Sequence, residues 1–171
     1  ENVAENPKTG SLTLEEMAEH DAVIDVKLAA LGNPNIPTRV IHRMAAGTGK
    51  RVRETIAGNI STPKTILMKS AIDRDTNVAY NVACNPNVPR EALTILAERR
   101  NIGILVAVVR NKNTPEEALA KLARNNNRNL RLLIAEHENT SRETLEFLLL
   151  KAVKEADQKL AETVRLALAK Q

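Results

Sequence analysis

The sequence predicts an all-α solenoid of about five to six helical repeats, on three observations. Asn33, Asn59, Asn85, Asn111 and His137 follow one another at intervals of 26 residues. Four residues after each, Pro37, Pro63, Pro89, Pro115 and Ser141 repeat the interval. Between these anchors the apolar residues fall at helical spacing. A fixed period of this length marks an array whose units bury their apolar faces only against neighbours. Such an array works by presenting a long surface, so function is sought in ladders of side chains rather than in one cleft.

The elements follow in order. An irregular unit fills 1–23, where Asn6-Pro7 resembles an anchor and an insertion surrounds Gly10. Regular repeats run over about 24–150, each with two helices. The first helix is predicted to start at the proline and run about ten to twelve residues. Thr62, Thr114 and Thr140 are its expected N-caps, because a hydroxyl satisfies a free amide and proline at the next position loses none. Thr114 with Glu117, and Thr140 with Glu143, have capping-box spacing. Ile41, Leu67, Leu93, Leu119 and Leu145 form a strict column that must face the core.

The second helix is predicted to be shorter, about two turns, with Asp25, Asn77 and Asn129 as N-caps. Val26, Val52, Val78, Ile104 and Leu130 form its buried column, backed by Ala30, Ile56, Val82, Val108 and Ile134. Asn-Pro-Asn at 33–35 and 85–87 then supplies a tight turn, since Asn tolerates left-handed backbone and Pro fixes its own φ. After His137 the register slips by about eight residues, so 141–171 should hold longer helices. Neither end reads as a polar cap. Either the array continues outside 1–171 or its end helices cap it imperfectly.

Composition narrows the function. Apolar residues make up 43% of the chain, yet Tyr80 and Phe147 are its only aromatic residues. A net charge of +4 permits a polyanionic partner without requiring one. The single cysteine, Cys84, excludes an internal disulfide and a cysteine-built metal site. No apolar run reaches membrane-spanning length. The first residues show neither a signal peptide nor an initiator Met, as in an excised fragment, so they carry no readable address; a cytoplasmic location is the expectation.

Val78 to Pro89 (VAYNVACNPNVP) followed by Arg90-Glu91-Ala92-Leu93 resembles the leucine-rich repeat variant family. So does Ile104 to Pro115 (ILVAVVRNKNTP) followed by Glu116-Glu117-Ala118-Leu119. The resemblance covers about 24–150, with units slightly longer than the family's. It implies a right-handed superhelix in which α-helices alternate with shorter, often 3-10, helices. It brings no catalytic residues. The family's founding type carries a cysteine-ligated iron–sulfur module whose cysteines this chain lacks, so no cofactor is expected.

Two ladders are candidates for recognition. With the buried side of the second helix centred between the Val26 and Ala30 columns, Leu28, Glu54, Tyr80, Val106 and Leu132 point outward. Val109 lies in a flanking column. Leu28, Tyr80, Val106, Val109 and Leu132 are therefore the candidate protein-binding residues, unless the curvature folds this column against neighbouring helices. A basic edge carries Lys50, Arg51, Arg74, Arg99, Arg100, Arg124 and Arg128 beside the second-helix N-termini. It could track a phosphate backbone or only keep the array soluble. The scarcity of aromatics argues against single-stranded nucleic acid.

Catalytic signals are thin. His20, His42 and His137 lack metal-ligand spacing. Gly47-Thr48-Gly49-Lys50 lacks the spacing and preceding strand of a phosphate loop. The sequence therefore reads as a non-catalytic scaffold for a macromolecular partner, first a protein and alternatively nucleic acid. No membrane association and no small-molecule substrate are inferred.

Overall fold

The computed structural model describes residues 3–46 and 49–171. Among them are twelve α-helices and no strand. Gly47 and Thr48 of the rejected phosphate loop lie outside the described residues.

Ahead of the regular repeats stands α1 (Ser11–His20). The second helices are α2 (Ile24–Gly32), α4 (Lys50–Gly58), α6 (Thr76–Cys84), α8 (Ile102–Arg110) and α10 (Arg128–Glu136). The first helices are α3 (Thr38–Ala45), α5 (Lys64–Ala71), α7 (Arg90–Leu96), α9 (Glu116–Leu122) and α11 (Arg142–Lys154), and α12 (Gln158–Leu168) closes the chain. Backbone contacts divide the chain into two compact units, Glu1–Ala92 and Leu93–Gln171. In the first, α2 packs on α4 and α4 on α6, with α3 and α5 laid against α4. In the second, α8 packs on α10 and α10 on α12, with α9 and α11 against α10. The predicted core column holds throughout: Ile41, Leu67, Leu93, Leu119 and Leu145 are all buried.

Helix lengths invert the expectation. Every regular second helix has nine residues and is α throughout, with no 3-10 turn among the described residues. The regular first helices have only seven or eight. Local hydrogen bonds explain the early stop. The Asp73 carboxylate accepts from the Asp75 amide at 2.8 Å, and the Asn125 side chain accepts from the Asn127 amide at 2.8 Å. Such Asx turns compete with helix continuation. The caps also lie two residues before the predicted Asn77 and Asn129: Asp75 and Asn127 accept from the amides of Asn77 and Leu130, as Asn101 does from Ile104, and Val23 rather than Asp25 precedes α2.

The threonines are likewise reassigned. α5 and α9 begin one residue later than predicted, after Pro63 and Pro115, and Ser141 caps α11. Thr62, Thr114 and Thr140 are buried, and their hydroxyls donate to the carbonyls of Ile56, Val108 and Ile134 at 2.5 Å. Each fastens the end of the preceding second helix instead of starting a first one.

The anchors do more than turn the chain. The backbone at Asn33, Asn59, Asn85 and Asn111 is extended, with φ between −68 and −80, so left-handed tolerance is not what selects Asn. The carboxamide is. Asn59 Nδ2 donates to the carbonyls of Leu31 (2.5 Å) and Asn33 (3.0 Å). Asn85 Nδ2 donates to those of Ala57 and Asn59, both at 2.9 Å. Each Oδ1 meanwhile accepts the amide two residues on, Ser61 for Asn59 and Asn87 for Asn85. One buried side chain thus shapes its own turn and ties it to the turn 26 residues earlier.

His137 imitates this with a ring. Its Nδ1 accepts from the Asn139 amide at 3.0 Å, which puts the proton on Nε2, 3.1 Å from the Asn111 carbonyl. The ring reaches one carbonyl where the asparagines reach two. His137→Asn regains a donor for the Val109 carbonyl and is expected to raise stability by about 1 kcal/mol, read as an upward shift of the urea midpoint.

Candidate binding surfaces

The second helices bury more of their circumference than two columns. Leu31, Ala57, Ala83, Val109 and Ala135 are all buried, and so are Ala79, Leu105 and Arg131 on the other added column. At 100° per residue this rotates the centre of the buried arc by roughly 50° from its predicted place. Val109 is 1% exposed and belongs to the core, so it is withdrawn as a surface residue. The second helices also pack on one another, α2 on α4 and α4 on α6 in the first unit and α8 on α10 in the second, so their flanks are covered as well as their inner face.

The outermost columns are consequently polar or small. Arg51, Gly58, Asn77 and Cys84 are exposed in the first unit, and Arg110, Asn129 and Glu136 in the second. The predicted outward column lies on the shoulder of the exposed face. In the first unit Leu28 is half-buried and Tyr80 is 45% exposed; in the second Val106 and Leu132 are half-buried.

Much of the predicted basic edge is spent on internal pairs. Lys50 Nζ lies 3.0 Å from Asp75 and 3.6 Å from Glu54, and Arg51 pairs with Asp25 at 2.7 Å. Arg128 grips Asp157 through Nε at 2.6 Å and Nη2 at 2.8 Å, holding α10 to the start of α12. The side chains of Arg74, Arg100 and Arg124 make no ion pair among the described residues. Arg99 is half-buried and Arg100 and Arg124 are exposed.

These pairs set the acid response. The Lys50 ammonium holds the Asp75 carboxyl below the usual carboxylate range, as the guanidiniums of Arg53 and Arg128 hold Asp73 and Asp157. Arg39 and Arg43 do the same for Glu15. A carboxylate depressed in the fold contributes stability that is present above its unfolded pKa, near 4, and lost as pH falls through the folded value. The urea midpoint should therefore hold steady from about pH 7 to 5 and fall below about pH 4. Because the pairs are solvent-screened, salt should shrink the acid-sensitive part.

One charged residue was missed because its column carries no periodic signal. Arg131 is only 3% exposed; its Nη1 donates to the Asn125 carbonyl at 3.1 Å and its Nη2 to Glu155 at 2.5 Å. It holds the loop before α10 and the end of α11 together. Among the described residues no three His, Cys, Asp or Glu side chains gather as a metal site would require, and no helix is long and apolar enough to cross a membrane.

No protein-family model and no curated sequence matches the chain. Its structure is similar to that of a leucine-rich repeat variant described as having a novel repetitive structural motif. The two share 24% identity at a TM-score of 0.63, over 97% of this chain and 62% of the other. The chain thus spans about three fifths of that protein's length. What the two share is the fold, a stack of helical repeats.

Proposed function

We propose that this chain is a non-catalytic scaffold whose second-helix shoulder docks a protein partner. The observation that carries the reading is the accessible apolar shoulder, led by Tyr80 in the first unit and by Val106 and Leu132 in the second. The anchors that give the chain its period are buried and hydrogen-bonded, which leaves recognition to the side chains that vary between repeats. An aromatic residue with apolar neighbours is a common protein-docking element. The test is capture by the immobilised chain from an extract of its source cells, with and without nuclease. A polypeptide retained after nuclease treatment, and lost with Tyr80→Ala or Leu132→Ser at unchanged helical content, is the expected result.

The unpaired Arg74, Arg100 and Arg124 favour a second reading, a nucleic-acid backbone along the second-helix N-termini. It predicts retention of duplex DNA or RNA at low salt, weakened by Arg100→Glu with Arg124→Glu. No retention by the parent chain ends that reading. It ranks second because Lys50, Arg51 and Arg128 already hold carboxylates.

A further inference from the structure

The segment that departs from the 26-residue register carries an apolar face that no other repeat has. α11 has 13 residues and runs about a turn and a half past the point where α9 ends. Its inner side buries Thr144, Leu145, Leu148 and Ala152. On its outer side Phe147, Leu150 and Val153 are 40%, 71% and 61% exposed, at spacings that place them on one stripe. The preceding repeats hold Arg43, Lys69, Ile95 and Lys121 at the place of Phe147, and Ala46, Ile72, Glu98 and Arg124 at that of Leu150, so none of them has large apolar residues at both. The stripe is therefore not a product of the repeat pattern.

Charge along this face is graded. Glu143 and Glu146 stand at its N-terminal end and Lys154 at its C-terminal end, all exposed. Glu143 and Lys154 have no ion pair among the described residues, and Glu146 reaches only the exposed Arg142 one turn away. An antiparallel copy of the same helix matches this gradient. With the two-fold axis beside Leu150, Phe147 meets Val153 of the second copy and Glu146 meets its Lys154. A parallel pairing would instead set acid against acid.

We propose that two copies of this chain associate through an antiparallel pairing of α11 about a two-fold axis at Leu150. The interface is isologous, so each contact occurs twice. Three apolar side chains per copy make a small contact, and a dissociation constant on the order of 100 μM is expected. None of these α11 residues belongs to the second-helix shoulder, so this pairing stands or falls independently of the protein partner proposed above.

Sedimentation equilibrium of the full chain from about 10 to 500 μM, with reductant to silence the exposed Cys84, tests it. The expected mass climbs from the 18.8 kDa monomer toward twice that value. Leu150→Asp, at an exposed position, should keep the helical circular dichroism and raise the dissociation constant roughly tenfold or more. Lys154→Glu should weaken pairing several-fold, and adding Glu146→Lys should restore it, because the swapped charges meet again across the axis. A parent chain that stays monomeric throughout overturns the pairing and leaves the stripe to a different protein. A dimer indifferent to Leu150→Asp, or a charge swap that does not rescue, overturns it as well.

Discussion

Asn85→Ala should lower the unfolding free energy by about 3 kcal/mol or more. The substitution strips the Ala57 and Asn59 carbonyls of their side-chain donor and the Asn87 amide of its acceptor. The Asn59 carbonyl keeps the Thr62 amide at 3.1 Å, but the Ala57 carbonyl and the Asn87 amide lose their partner, at about 1–3 kcal/mol each, a large effect for one polar side chain. The check is urea unfolding, where the midpoint should drop with little change in slope.

Asn85→Asp sharpens the test. A carboxylate can still accept from the Asn87 amide, but it confronts two carbonyl oxygens and donates to neither. Its pKa in the fold must then rise above the unfolded value near 4. A carboxyl raised in this way favours the fold at low pH and loses that advantage as pH climbs from the unfolded to the folded value. The Asn85→Asp variant should therefore recover stability relative to the parent on acidification. A variant as stable as the parent at neutral pH would show that the carboxamide bonds do not tie the turns together.

Val109→Asp should cost about 4 kcal/mol or more and unfold the C-terminal half. Val109 is 1% exposed on the flank of α8, so a charge there has no route to water. The same change at Cys84, on the outermost column of α6, should be close to neutral. Circular dichroism separates the outcomes. A folded, stable Val109→Asp protein would return that flank to the surface and restore the arc as the sequence placed it.

The two errors about the second helix have one origin. The 26-residue period specifies which positions recur, and it located the first-helix column and the anchors, while in the second-helix column Val26 and Val52 are only half-buried. It carries no information on how far neighbouring helices wrap around. That depends on how the helices pack on one another, second on second as well as first on second, and the first helices stop short at Asx turns at Asp73 and Asn125. Those turns were legible as Asp and Asn in loops, but not as the signals that stop a helix. The carboxamide ladder was hidden for a different reason: its bonds join residues 26 and 28 apart, and extended backbone needs no particular side chain. The invariance of Asn was visible while its cause was not.

The candidate surfaces were legible to a similar depth. Tyr80 stands out in any reading of a chain with two aromatic residues, and it is exposed. The pairing of Lys50 with Asp75 and of Arg128 with Asp157 needed the fold, because each joins residues more than twenty positions apart. Arg131 gave no warning at all, since the equivalent positions hold Lys27, Arg53, Ala79 and Leu105. The column is buried at Ala79, Leu105 and Arg131 and half-buried at Lys27 and Arg53, and its mixture of residue types leaves no trace in the period.

In this reading buried anchors build the stack and the accessible apolar shoulder is left to recognise a protein. Nuclease-treated capture by the parent chain, beside capture by a folded Tyr80→Ala variant, tests it most directly. A polypeptide held by the parent and released by the variant, with matching circular dichroism, is the expected result. Equal retention by both, or retention that disappears with nuclease, would contradict it.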